Sequence, residues 1–141
     1  MVKTDEFSEL SQLFFEMRQT IRANLPLAQA DPNVWMRCET LRFIDERRPT
    51  MQEIARHLRI TAPSATSLAR NLSSLGWVDR TPSGSDKRVV RVTLTSAGQK
   101  ELARYRKSSQ QTMRRVFSKL SRADLMQLKR VLRTLNDIHS A

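Results

Sequence analysis

The sequence predicts a mainly helical chain of the α+β class that carries one small β-hairpin. Three observations lead there. Apolar residues recur at spacings of three and four over most of the length. The pattern turns to alternation only between Trp77 and Leu94. Two short segments with helix-capping signatures stand directly before that change. At 141 residues the chain fits one compact domain, or one domain with a small helical appendage.

The first helix is expected from about Thr4 to Leu25, with Phe7, Leu10, Phe14, Met17 and Ile21 forming one apolar seam. Leu13 and Phe15 widen that surface. Pro26 and then Asp31-Pro32-Asn33 mark a break. A second helix runs from about Val34 to Glu46, with Val34, Cys38, Leu41 and Asp45 on one strip, and Arg48-Pro49 ends it. Thr50-Met51-Gln52-Glu53 has the form of a capping box and opens a short helix burying Ile54, Ala55 and Leu58. Thr61 caps the next helix, with Pro63 in its first turn, where a missing N–H costs nothing. Its inner face is Ala65, Leu68, Leu72 and Leu75, and Gly76 supplies a left-handed stop.

Trp77–Arg80 then reads as a short strand, Thr81–Asp86 as a turn-rich tip, and Val89–Leu94 as a β-branched return strand. A long helix starts at Thr95–Gln99, with Ser96 and Gln99 at capping-box spacing, and its strip is Leu102, Tyr105, Ser109, Met113, Val116 and Leu120. Ser121 caps a last helix whose Leu125, Leu128, Val131, Leu132, Leu135 and Ile138 are expected to face inward.

Charge and cysteine content narrow the function. The net charge is +11, distributed as −1 over residues 1–49, +4 over 50–94 and +8 over 95–141. Such a chain suits nucleic acid or an anionic membrane surface. The hydrophobic fraction of 39% is lean, which suggests that another subunit completes part of the core. Cys38 is the single cysteine, so neither an intramolecular disulfide nor a multi-thiolate metal site is expected. No run has the form of a signal peptide or approaches the roughly 20 apolar residues of a membrane span, so a cytoplasmic protein is expected.

Helix, tight turn, helix and hairpin in succession make a winged helix-turn-helix. Its second helix, about 62–75, is about 20 Å long and suits the major groove of DNA. The outer face carries Ala62, Pro63, Ser64, Thr66, Ser67, Arg70, Asn71 and Ser74, small or hydrogen-bonding groups with one cation. No acidic residue stands between Thr61 and Leu75, whereas the outer faces of the last two helices are dense in Lys and Arg. A packing helix with a serine-rich solvent face is the plainer alternative.

At this point the chain resembles the MarR family of ligand-responsive bacterial regulators. The resemblance covers essentially the whole chain, and its most specific part runs from Leu75-Gly76-Trp77-Val78 through Arg80 and Asp86-Lys87-Arg88 to Val92-Thr93-Leu94-Thr95 and Gly98. The family's wing signature, Asp-x-Arg followed by Leu-Thr-x-x-Gly, is present in register. What the resemblance implies is a homodimer whose first helix and last two helices interleave with the partner's, two winged domains meeting half-sites of a pseudo-palindromic operator. Residues 1–33 and 95–141 would form the helical dimerisation region, and 34–94 the winged DNA-binding domain, within one compact unit. Arg88 would reach the minor groove or its phosphate edge while Asp86 holds the wing in shape. An Asp86–Arg88 ion pair with no role in DNA binding is the alternative. Ser83, Ser85 and Lys87 at the tip would contact phosphate.

The DNA-binding set expected is thus Ser64, Thr66, Ser67, Arg70, Asn71, Ser83, Ser85, Asp86, Lys87 and Arg88. The chain departs from the family where many members carry a basic residue at the position of Ser67 and an acidic one at Arg70, so the base code cannot be copied. The resemblance also implies a small effector, with no other cofactor expected. Phe14, Met17, Trp35, Met36, Arg37 and Arg42 would suit an aromatic carboxylate or phenol, and would serve equally as core and interface. Cys38 reads as a core thiol rather than a redox switch. His57 and His139 lack Asp, Glu or Cys at ligand spacing, so no metal site is expected. No catalytic constellation is present, and an enzyme is not expected. The function expected is a transcriptional regulator, a repressor released by a small ligand. An architectural DNA binder without sequence preference and a membrane-surface protein are the competing classes.

Overall fold

The structure, a computed structural model, describes residues 4–138, the side chains of Thr4, Gln29, Ala30, Ser83 and Lys87 excepted. The order is α1 (Thr4–Asn24), α2 (Pro26–Ala30), α3 (Val34–Arg47), α4 (Met51–Leu58), α5 (Ala62–Ser74), β1 (Val78–Ser83), β2 (Asp86–Leu94), α6 (Ser96–Phe117) and α7 (Arg122–Asp137). A mainly α chain with a two-stranded antiparallel hairpin is what the periodicities predict. The short helix α2 was not expected, because Pro26 reads as a breaker. Proline is tolerated in a first helical turn, and here it starts one.

Two compact units divide the described chain. One is Leu27–Ser108, and the other joins the residues up to Pro26 with those from Ser109 onward.

In the Leu27–Ser108 unit, Leu41, Ile44, Ile54, Leu72, Val78, Val92 and Leu102 are almost fully buried. Helices α3, α4 and α5 pack in sequence, and the hairpin packs on all three through β1 and β2. The capping box of α4 forms as expected. The Glu53 amide donates to Thr50 Oγ1 at 3.3 Å, and the Thr50 amide donates to Glu53 Oε2 at 3.0 Å. A Schellman turn ends α5, with Gly76 (φ 76°) donating to the Ser73 carbonyl and Trp77 to that of Leu72. The inner face of α5 differs in detail from the expected strip. Ala65, Ala69 and Leu72 are buried, Leu68 is half-buried, and Leu75 is exposed at the C-cap. Leu58 on α4 is likewise only half-buried.

Thr95, not Ser96, caps α6. Its Oγ1 accepts from the Gly98 amide at 3.1 Å and donates to the Gly76 carbonyl at 2.5 Å. Gln99 reaches Asp45 of α3 instead of closing a capping box. Gly98 is required by close approach, since a Cβ there would lie 2.0 Å from the Trp77 carbonyl oxygen.

In the other unit, the Thr112 hydroxyl is buried and donates to the Asn24 carbonyl at 3.1 Å. The seam of α7 does not face inward as expected. Leu125, Val131, Leu132, Leu135 and Ile138 are exposed in the single chain, as are Phe7, Leu10, Leu13, Phe14 and Phe15 of α1. Their periodicity marks a face to be covered, but the helices of one chain do not cover it.

Candidate nucleic-acid interface

The site grows from α5 and the hairpin. Thr61 caps α5 by accepting from the Ser64 amide at 3.3 Å, with Pro63 in the first turn. Burial of Ala65, Ala69 and Leu72 then turns Ser64, Ser67, Arg70, Asn71 and Ser74 outward, all of them exposed. Thr66 is half-buried, and its hydroxyl donates to the Ala62 carbonyl at 3.0 Å. The Ser64 hydroxyl accepts from Thr61 at 2.9 Å, so it keeps a hydrogen to donate. Among the described residues, Ser67, Arg70 and Asn71 make no side-chain hydrogen bond, and all three are open to an incoming edge or phosphate.

The wing differs from its expected form. Thr81, Pro82 and Ser83 belong to β1, and Asp86, Lys87 and Arg88 belong to β2, so the loop is only Gly84-Ser85. The register explains why a longer tip was expected. Val78 to Pro82 pair regularly with Leu94 to Val90, but Ser83 pairs with Asp86. Lys87, Arg88 and Val89 are therefore extra residues on β2, bowed out as an arch. Asp86 closes the arch, because its Oδ1 accepts from the Arg88 amide at 3.0 Å and from Arg88 Nε at 3.1 Å. These bonds to Arg88, side chain first and then amide, hold the Asp86 carboxyl below the usual carboxylate range. The Arg88 side chain is 90% exposed. The ion pair weighed as an alternative does exist, and it leaves most of the guanidinium facing solvent. Ser85 is exposed in the loop, while the side chains of Ser83 and Lys87 lie outside those described.

Sequence reasoning missed three neighbours of the wing. Gln52 and Arg56 of α4, with Thr50, Met51, Glu53, Arg88, Val89 and Val90, line a cleft of about 450 Å³ beside the arch. Arg91 of β2 reaches back to the α3–α4 turn, its Nη1 donating to the Arg48 carbonyl at 3.1 Å. Alternation along β2 shows that Arg91 points away from Val92, but nothing in the sequence names its partner.

Other expectations change once the helices are placed. His57, which has no carboxylate at ligand spacing in the sequence, meets one across 18 residues, its Nε2 lying 2.7 Å from Glu39 Oε1 while its ring stacks on Phe43. No group of three potential ligands gathers among the described residues. His139 lies outside them. Arg42 is paired with Glu39 and Glu46, and Arg37 with Asp31 at 3.1 Å, so both guanidinium groups proposed for an effector are engaged within their own unit. Burial and the charge of Glu39 push the Cys38 thiol up, opposite to what a reactive thiolate needs.

Comparisons with known proteins agree with this geometry. A model of the MarR family matches residues 35–89, the span from α3 to the wing arch. A MarR family protein from Bacillus stearothermophilus has a similar structure, at a TM-score of 0.83 and 18% identity, covering 100% of both chains. FabT of Streptococcus pneumoniae, solved in complex with DNA, gives 0.75 at 17% identity over 98% of each chain. A mutant of MarR from E. coli, solved with operator DNA, gives 0.73 at 22% identity, over 96% of this chain and 99% of that one. No curated protein matches. The structural likenesses show the fold, and the family model adds its own match where that fold carries the helix-turn-helix and wing. The chain thus shares the fold of MarR family structures along its whole length, and its helix-turn-helix and wing, residues 35–89, match that family's model.

Proposed function

We propose that the chain is a sequence-specific DNA-binding transcriptional regulator that acts in the cytoplasm as a homodimer on a pseudo-palindromic operator. The observation that carries this reading is the pairing of two exposed elements in one unit. The outer face of α5 is free of acid and rich in unengaged donors, and the wing arch of the same unit presents a 90% exposed Arg88. A helix of 13 residues, about 20 Å long, fits a major groove, and an arginine on a projecting arch suits the focused negative potential of a minor groove. That FabT and MarR were solved with DNA supports the same role for this fold. The unburied seams of α1 and α7 support a dimer, which would cover them with a second copy. In this reading Ser64, Thr66, Ser67, Arg70 and Asn71 meet the major groove, Ser83, Ser85 and Lys87 meet phosphate, and Asp86 shapes the arch that carries Arg88. The protein represses, and a small aromatic or phenolic effector releases it.

Selection of bound fragments from genomic DNA supplies the operator. Binding to that operator and to random DNA at about 150 mM salt should differ roughly 1,000-fold or more. Equal binding would make the protein an architectural DNA binder. Arg70→Ala then sorts the contacts. A base contact costs affinity for operator more than for random duplex, a phosphate contact costs both equally, and no loss on either removes Arg70 from the interface.

A further inference from the structure

We propose that Arg91 is a positioning residue for DNA binding, a latch that joins the wing to the turn between α3 and α4. It keeps the Arg88 arch and the outer face of α5 at a fixed separation. The inference rests on the DNA-binding reading above.

Arg91 stands three residues beyond Arg88 on β2, opposite Thr81. Its guanidinium donates to the Arg48 carbonyl at 3.1 Å, across 43 residues of sequence. The backbone follows the same route, with the Val92 amide donating to the Pro49 carbonyl at 2.9 Å and an isolated antiparallel bridge joining Thr50 to Arg91. Residues 48–50 therefore lie along β2 as a minimal third strand.

The same three residues also end one helix and begin the next. Arg48 is the C-cap of α3 in the left-handed region (φ 45°), and its carbonyl lies at the negative end of that helix. A cation suits this place both as a donor to a helix-end carbonyl and as a charge against the dipole. Thr50 is the N-cap of α4. Arg91 thus ties the wing to the end of α3 through its side chain and to the start of α4 through its backbone. A two-stranded hairpin alone is marginally stable in water, so the wing depends on such ties for its direction. Arg88 has the complementary place. It bonds to Asp86 on its own arch and projects into solvent.

The test uses the full chain, its Arg91→Met, Arg91→Lys and Arg88→Ala variants, and a duplex that the wild type enriches from a random-sequence pool. Amide hydrogen exchange is read without DNA, and binding is read between about 50 and 200 mM salt. Arg91→Met should speed exchange at the Val92 amide about tenfold or more. It should weaken binding by roughly tenfold while the slope of log affinity on log salt stays at the wild-type value. Arg91→Lys should show the same changes at smaller size, and it carries the comparison if the methionine variant does not fold. Arg88→Ala should leave Val92 exchange unchanged and flatten the salt slope by about one. Unchanged exchange in Arg91→Met would overturn the latch. A slope flattened by about one in that variant would overturn it too, since Arg91 would then be a phosphate ligand. Should the wild type enrich no duplex, the DNA-binding reading fails and takes the role in binding with it, while the exchange result still decides whether the latch exists.

Discussion

Replacing Gly98 by alanine tests how the wing is anchored. Gly98 lies in the first turn of α6, where alanine is normally the better residue by about 1 kcal/mol. Here a Cβ would stand 2.0 Å from the Trp77 carbonyl oxygen and 3.0 Å from its carbon. A carbon and a carbonyl oxygen ordinarily stay about 3.3 Å apart, so one of the two backbones must move by more than about 1 Å. That carbonyl accepts from the Thr95 amide at 3.0 Å, and Thr95 in turn caps α6 and holds the Gly76 carbonyl. Overpacking of this kind costs about 1–3 kcal/mol, and a lost hydrogen bond about 1 more. Set against the helix propensity gained, the net loss is about 2 kcal/mol. For a unit of this size that lowers Tm by about 8–16 °C. Thermal unfolding followed by circular dichroism measures it, with Ala97→Gly as the control. Ala97 is exposed in the same turn, and its replacement should cost only about 1 kcal/mol of helix propensity. A Gly98→Ala protein as stable as the wild type, or more so, would refute the close-approach argument.

The other predictions concern charge and thiol chemistry. Asp86 has its carboxyl lowered by Arg88, so its stabilisation of the arch is complete above the unfolded value of about 4 and is lost as pH falls through the lower folded value. The Arg88 amide resonance should therefore keep its neutral-pH position down to about pH 4 and move only below it, and Asp86→Asn should abolish that transition. If the resonance moved with an ordinary carboxylate midpoint, the arch would not be held as described. Cys38 has its thiol raised by burial, so at neutral pH it should react with iodoacetamide more slowly than free cysteine does. Faster alkylation than free cysteine would contradict the burial argument, and release from DNA by oxidant that Cys38→Ser blocks would make it a redox switch.

The elements legible in the sequence were those specified by neighbours. The Thr50–Glu53 box, the Thr61 and Ser121 caps and the Gly76 stop each act within four residues, and all four formed. The outer face of α5 was readable for the same reason, since helical period alone places Ser64, Ser67, Arg70 and Asn71 together. The wing was partly readable. Its β-branched return strand was plain, but Ser, Gly and Asp near the tip look like a loop whether they turn or bow out of a ladder. Only the pairing of Pro82 with Val90 and of Ser83 with Asp86 shows that the irregularity is a three-residue arch on β2. The α7 seam reads as an apolar, inward-facing strip, yet it is exposed in the single chain, because periodicity marks a face and says nothing of whether the same chain buries it.

The sequence by itself determined where helices start and stop, which α5 face is polar, and that a basic chain carries a wing. Tertiary structure decided the rest. It brought Glu39 to His57 across 18 residues, Arg91 to the Arg48 carbonyl across 43, and Gln99 to Asp45 across 54. The physical reason is range. Capping, turn and helical-face preferences act between residues whose separation the covalent chain already limits, so they can be read one segment at a time. The partners of Arg91 and the space denied to Gly98 exist only after burial of Leu41, Ile54, Leu72 and Val92 has fixed the distances between segments.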